Sequence, residues 1–157
     1  MVEALKVDSP KSKVEGPEMS RMVSVEIEQE GPSTGQARAR SHTVLVDRPV
    51  EKGGNDRGPL GGEYLLISLG GCFLSTLLAA IRTREAAVSN VRVSVTGAIG
   101  GVPERFESMA VRVAAQYKDE DLMRRLVAMA ERGCLVTNTL KDAVALSVSL
   151  ETSCDNG

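Results

Sequence analysis

The sequence predicts an α+β fold in which antiparallel β-hairpins pack on one long apolar helix, and three observations carry that expectation. Segments 22–28, 37–47, 88–99 and 106–117 alternate apolar and polar residues, the period of a half-buried strand. Between the two pairs of strands runs an apolar stretch, Glu63 to Arg84, too long for a strand and without a charge from Tyr64 to Ile81. After the second pair the apolar spacing becomes helical. The 157 residues are enough for one compact domain with its own core. Aromatic residues are only 3% with no Trp, so that core must be built from Val, Leu, Ile, Ala and Met.

Taken in order, residues 1–20 are rich in Lys, Glu, Ser and Pro without periodicity, and read as a flexible arm or a short pairing strand. The domain proper is expected over 21–152. "MVSVEIE" (22–28) is a half-buried strand, "EGPSTG" (30–35) a turn, and "ARARSHTVLVD" (37–47) a second strand that closes a hairpin. Gly and Pro punctuate 47–62, which reads as a loop leading into the apolar helix. "VSNVRVSVTGAI" and "FESMAVRVAAQY" form a second hairpin. An acidic start at 119–121 suits a helix N-terminus, and Leu122, Leu126, Met129 and Ala130 continue that helix to Gly133. A short helix (134–143) and a last strand (144–151) follow, with a tail over 153–157. The expected order is β-β-α-β-β-α-α-β, with helices on one face of the strands. No internal repeat is present.

The apolar helix is near the lower length for a membrane span. It carries Ser68, Gly70, Gly71, Ser75 and Thr76 and lacks an aromatic belt, so it reads as a helix buried nearly all round in a protein core, with no membrane partner. One chain of this size can hardly cover such a helix, and a homodimer sharing its core would.

Several functions are disfavoured by composition. The net charge is −2, basic runs are absent and few aromatics are available for stacking, which argues against a nucleic-acid partner. Met1 to Ser20 lacks the apolar core of a secretory signal, so a cytoplasmic location is expected. Three cysteines in such a setting read as free thiols rather than a disulfide scaffold. A single histidine and no C-x-x-C pair disfavour a zinc site. Neither G-x-x-x-x-G-K-[ST] nor G-x-G-x-x-G occurs, and no metal or organic cofactor is expected.

The residues able to carry chemistry are few. Cys72 follows Gly70-Gly71 on the long helix, where small side chains allow close approach. Cys134 follows a helix-ending glycine, where local movement is cheap. Each could equally be a packed thiol, since free cysteine behaves as a small hydrophobe. Glu63, nine residues before Cys72, either complements the helix dipole or orients a guanidinium. Arg38 and Arg40 alternate onto one face of the second strand, as solvated charges or as a cation that lowers a thiol pKa. His42 could be a general base or an exposed strand residue. Cys154 is an incidental thiol of the tail.

"HTVLVDRPVEKGGNDRGPLGGEYLLISLGGC" (42–72) and "MAERGCLVTNTL" (129–140) together resemble the two cysteine segments of the OsmC/Ohr superfamily, its broader OsmC branch more than Ohr proper. The likeness spans roughly Met22 to Leu150. It implies an intertwined dimer with active sites at the interface. It also implies a thiol peroxidase that reduces organic hydroperoxides, and hydrogen peroxide less well, in defence against oxidative stress. By resemblance Cys72 is the peroxidatic cysteine, Cys134 the resolving cysteine, and Glu63 the glutamate that orients an activating arginine. An external dithiol would be the reductant. Leu69 and Phe73 would line an apolar pocket for bulky peroxides. The chain departs from the family pattern at Gly62 and Leu135, where proline is usual. Its first turn also lacks an arginine, so that Arg38 or Arg40 would substitute. The alternative function is a non-catalytic binding protein holding an apolar ligand at the dimer cleft.

Overall fold

The computed structural model describes residues 21–151; the expected arm (1–20) and tail (153–157), with Cys154, lie outside the described residues. The first sheet has three antiparallel strands, β1 (Glu26–Gln29), β2 (Gly35–Ala39) and β3 (His42–Val46), in that order. The predicted strand 37–47 is therefore two strands. Arg40 takes a left-handed φ of 57° and with Ser41 forms a two-residue turn, so that Ala39 pairs with His42. Two-residue hairpins need such positive φ values, and alternation that continues unbroken through the turn hides it in the sequence. β1 is also shorter than expected. Its first pair is Glu26 with Arg38, and β2 ends one residue beyond Arg38, which leaves 22–25 unpaired. β1 is exposed on both faces, Ile27 included, rather than half-buried.

The buried Asp47 carboxylate ties this sheet to the loop that follows. Its Oδ1 accepts from the Arg48 amide at 2.7 Å, and its Oδ2 accepts from the Arg57 amide at 3.2 Å and the Thr34 hydroxyl at 3.1 Å. Burial alone would raise its pKa, but the hydrogen bonds from Ser33, Arg48, Arg57 and Thr34 outweigh that and hold it at about 2, below the ordinary 3.8. The Tyr64 hydroxyl donates to the Leu45 carbonyl at 2.7 Å, pinning the start of the long helix to β3.

That helix, α1 (Gly61–Thr83), lies on the second sheet, which is built from β4 (Val88–Gly100), β5 (Arg105–Tyr117) and β6 (Ala145–Leu150). The β4–β5 hairpin is antiparallel, but β6 runs parallel to β5. The chain returns through α2 (Glu120–Gly133) and α3 (Leu135–Leu140), and such a crossover brings a strand back in the same direction. Asp119 caps α2 by accepting from the Leu122 amide at 2.8 Å. The buried face of α2 is Met123, Leu126, Val127 and Ala130, turned slightly from the expected face by the inclusion of Met123 and Val127.

Leu69, Phe73, Leu77 and Ala80 of α1 meet Met109, Val111 and Val113 of β5 and the α2 face in one core. Each fully buried large side chain contributes about 1.5–3 kcal/mol. The approach of α1 to the sheet depends on small residues. A Cβ on Gly70 would stand 2.9 Å from Val95 Cγ2, and one on Gly97 would stand 2.6 Å from the Phe106 ring. The expectation that α1 is buried all round is corrected: only its inward stripe is buried, while Leu65, Ile67 and Leu78 are exposed. α1 is long and apolar enough to cross a membrane by composition, with a mean hydropathy of 2.0, yet this stripe is packed into the β4–β5–β6 core.

Gly97→Val should destabilise the fold by about 1–3 kcal/mol in urea unfolding, because Phe106 has to leave its seat. The Asp47 carboxyl has a lower pKa folded than unfolded, so its contribution is full above about pH 3.8 and lost as pH falls towards about 2. Asp47→Asn turns an amide NH2 towards donors. Its unfolding midpoint at pH 7 should fall below that of the wild type, and the gap should close as the pH is lowered through that window.

Candidate functional site: a facing pair of thiols

Cys72 lies at the edge of the buried stripe of α1, packed against the core but only partly buried. Its carbonyl accepts hydrogen bonds from the Ser75 hydroxyl (3.0 Å) and the Thr76 hydroxyl (2.9 Å), so this turn of the helix is locally tied. Cys134 is the single residue between α2 and α3. Its extended backbone, φ −78° and ψ 116°, ends one helix and begins the next. Its Sγ accepts from the Thr137 amide at 3.4 Å and so caps α3. Gly133 brings this junction against α1, where an added Cβ would be 3.1 Å from Thr76 Cγ2. Elements far apart in sequence thus bring the two thiols together as neighbours, both of them free.

The environments of the two sulfurs differ. Burial pushes the Cys72 thiol up, and the neighbouring Cys134 adds to this, against the partial help of the Val136 and Leu135 amides. Burial acts in the same direction on Cys134. There it is outweighed by the Thr137 hydroxyl and amide, the Cys72 thiol and the Val136 amide, and the pKa is lowered. Cys134 is fully buried, and the Thr137 hydroxyl is buried without a partner at full hydrogen-bond geometry. The sulfur beside it is the group that hydroxyl can turn to.

The other residues singled out from the sequence are placed elsewhere in the chain. Glu63 is in the first turn of α1 and accepts from the Leu60 amide at 2.7 Å. Nine residues at a helical rise of 1.5 Å put it about 13 Å along the axis from Cys72. It shares an open recess of about 420 Å3 with Pro49, Asp56, Arg57 and Leu60. Arg57, which is also paired with Glu30 at 2.8 Å, is the arginine of that recess. Arg38 is on β2 near Glu28 (3.8 Å) and Gln36, and Arg40 is in the β2–β3 turn. They do not share one strand face, as the alternation had suggested. His42 is exposed at the start of β3. Among the described residues no guanidinium hydrogen-bonds to Cys72. Leu69 and Phe73 have no exposed surface and belong to the core, which corrects their expected role as pocket walls. No group of three or more His, Cys, Asp and Glu able to hold a metal ion occurs among the described residues.

Thr137 was not singled out from the sequence. The signal available was "CLVT", a polarisable N-cap residue with threonine three positions on, at the start of a short helix.

Comparison with known proteins gives a family and a fold. No curated protein matches the chain. Among solved structures, a hypothetical protein from Aquifex aeolicus VF5 is 18% identical, covers 85% of this chain and 98% of its own, and superposes with a TM-score of 0.73. An OsmC-like protein from Mycoplasma pneumoniae is 17% identical over 85% of this chain and 100% of its own, with a TM-score of 0.71. An organic hydroperoxide resistance protein OsmC from Legionella pneumophila is 17% identical over 84% of this chain and 98% of its own, with a TM-score of 0.66. At such identities the likeness is one of fold, α+β with two small sheets and a central helix. Residues 53–149, from the loop before α1 into β6, match the family described as OsmC-like protein, and the chain belongs to that family.

Proposed function

We propose that the chain is a cytoplasmic thiol-dependent peroxidase, reducing organic hydroperoxides, and hydrogen peroxide less well, through Cys72 and Cys134. The observation that carries this reading is that a partly buried thiol, Cys72, neighbours a fully buried one, Cys134, whose sulfur accepts from the Thr137 amide. Membership of the OsmC-like family and the likeness to a hydroperoxide resistance protein support it.

In this mechanism the Cys72 thiolate attacks a peroxide oxygen, the O–O bond breaks, and the alkoxide leaves and takes a proton to become an alcohol. Cys72 is then a sulfenic acid. The Cys134 thiolate attacks its sulfur, hydroxide leaves as water after protonation, and a disulfide joins the pair. An external dithiol restores both thiols and is itself oxidised to a disulfide. The lowered pKa of Cys134 favours the second step. The first step needs a cation at Cys72, whose thiol is pushed up. A second copy of the chain would supply that arginine, oriented by its Glu63. The exposed Leu65, Ile67 and Leu78 of α1 and the largely exposed β1–β3 sheet give that copy an apolar face to cover.

That no guanidinium hydrogen-bonds to Cys72 among the described residues favours a second reading, a non-catalytic binding protein of the same fold. The two readings separate in one assay, consumption of tert-butyl hydroperoxide in the presence of dihydrolipoamide. The wild type should turn over and Cys72→Ser should be inactive; equal turnover by Cys72→Ser would remove the nucleophile from this scheme. Cys134→Ser should instead accumulate a sulfenic acid that dimedone traps. Ile67→Glu should convert a dimer to a folded monomer in sedimentation analysis, with unchanged circular dichroism.

A further inference from the structure

The two sulfurs of a Cys72–Cys134 disulfide would not be equivalent to an incoming reductant. Cys72 has an open side on α1, whereas Cys134 has no exposed surface. In-line attack on one sulfur expels the other as a thiolate, so the buried site must be able to hold that charge. Thr137 meets this need on two counts. Its amide donates to Cys134 Sγ at 3.4 Å, and its hydroxyl is buried with no partner at full geometry. A buried unpartnered hydroxyl is costly in a folded protein, unless some state of the protein gives it work. The departure of a thiolate beside it is such a state.

We propose that Thr137 is a positioning residue that makes Cys134 the leaving thiolate, so that the dithiol reductant always enters at Cys72. This rests on the two-cysteine reading above and deepens it. In the first exchange a reductant thiolate bonds to Cys72 sulfur and the S–S bond breaks. The electron pair goes to Cys134, which is held by the Thr137 amide and hydroxyl. In the second, the other thiol of the reductant attacks its own sulfur in the mixed disulfide and expels Cys72. The reductant leaves as a cyclic disulfide, two electrons poorer, and both protein thiols are restored.

The test uses the full chain carrying Cys154→Ser, so that no third thiol exchanges, with the disulfide made by diamide rather than by peroxide. Reduction by dithiothreitol is followed in the parent chain, Thr137→Val and Thr137→Ser. Valine keeps the volume and the amide but removes the hydroxyl, and should slow reduction about tenfold. Serine should restore the rate to within about twofold. The titration of the lower-pKa thiol in the reduced protein, read by thiolate absorbance, should rise by about one pH unit in the valine variant and return in the serine variant. A lost packing contact would not give that pattern. With glutathione as a single-thiol reductant and rapid alkylation, the mixed disulfide should map to Cys72 and the alkyl group to Cys134. An adduct on Cys134, a valine variant as fast as the parent, or failure of diamide to join the pair would each overturn the proposal. Loss of peroxide turnover with these results intact would instead remove only the peroxidase reading.

Discussion

The inward stripe of α1, Leu69, Phe73, Leu77 and Ala80, is the constraint on which the other elements depend. It seats the helix on β4 and β5, and it can do so only because Gly70 lets the helix backbone come down onto Val95. The rotation of the helix follows from this seating. With Leu69 and Phe73 fixed inward, Cys72 is carried to the edge of the buried face, where one side meets the α2–α3 junction and the other is open. The first turn of α1 is meanwhile turned towards β3 through Tyr64 and Leu45. A single packing choice thus sets the site and the place of the N-terminal sheet together.

The electrostatic character of the site comes from local backbone rather than from charged side chains. Cys134 is the junction residue of two consecutive helices, and the Thr137 amide of α3 donates to its sulfur. Amide donors stabilise a thiolate by hydrogen bonding to its charged form. The Thr137 amide does this for Cys134, while burial and the neighbouring Cys134 push the Cys72 thiol up. The two sulfurs thus differ in their surroundings, and among the described residues no charged side chain hydrogen-bonds to either.

Asp47 plays for the first sheet the part that the α1 stripe plays for the second. It closes β3 and gathers donors from the β1–β2 turn and from the loop before α1. That loop delivers Glu63 and Arg57 to one recess at the N-terminal end of α1, more than two turns from Cys72. The sheet it anchors leaves β1 exposed on both faces, and α1 keeps an apolar outer face. Those two surfaces, rather than the β4–β6 core, are where this chain's hydrophobic pattern is left incomplete.

The sequence by itself determined the element types, the β4–β5 hairpin and the long apolar helix, because period and turn chemistry are local properties. It also placed each thiol on its own element and, through two motifs, pointed to the family. It did not reveal the turn at Arg40, since alternation runs through it, or the parallel direction of β6, which depends on where a crossover ends. An apolar run likewise does not say which of its faces a chain will cover, so α1 looked buried all round when only one stripe is. Cys72 and Cys134 meet only in the tertiary structure, because their contact is set by the packing of the Gly133 turn against Thr76 and not by any spacing along the chain. Glu63 and Cys72 share a helix, yet its rise separates them. Thr137, inconspicuous in the sequence, stands beside a sulfur because α3 begins at Cys134 itself.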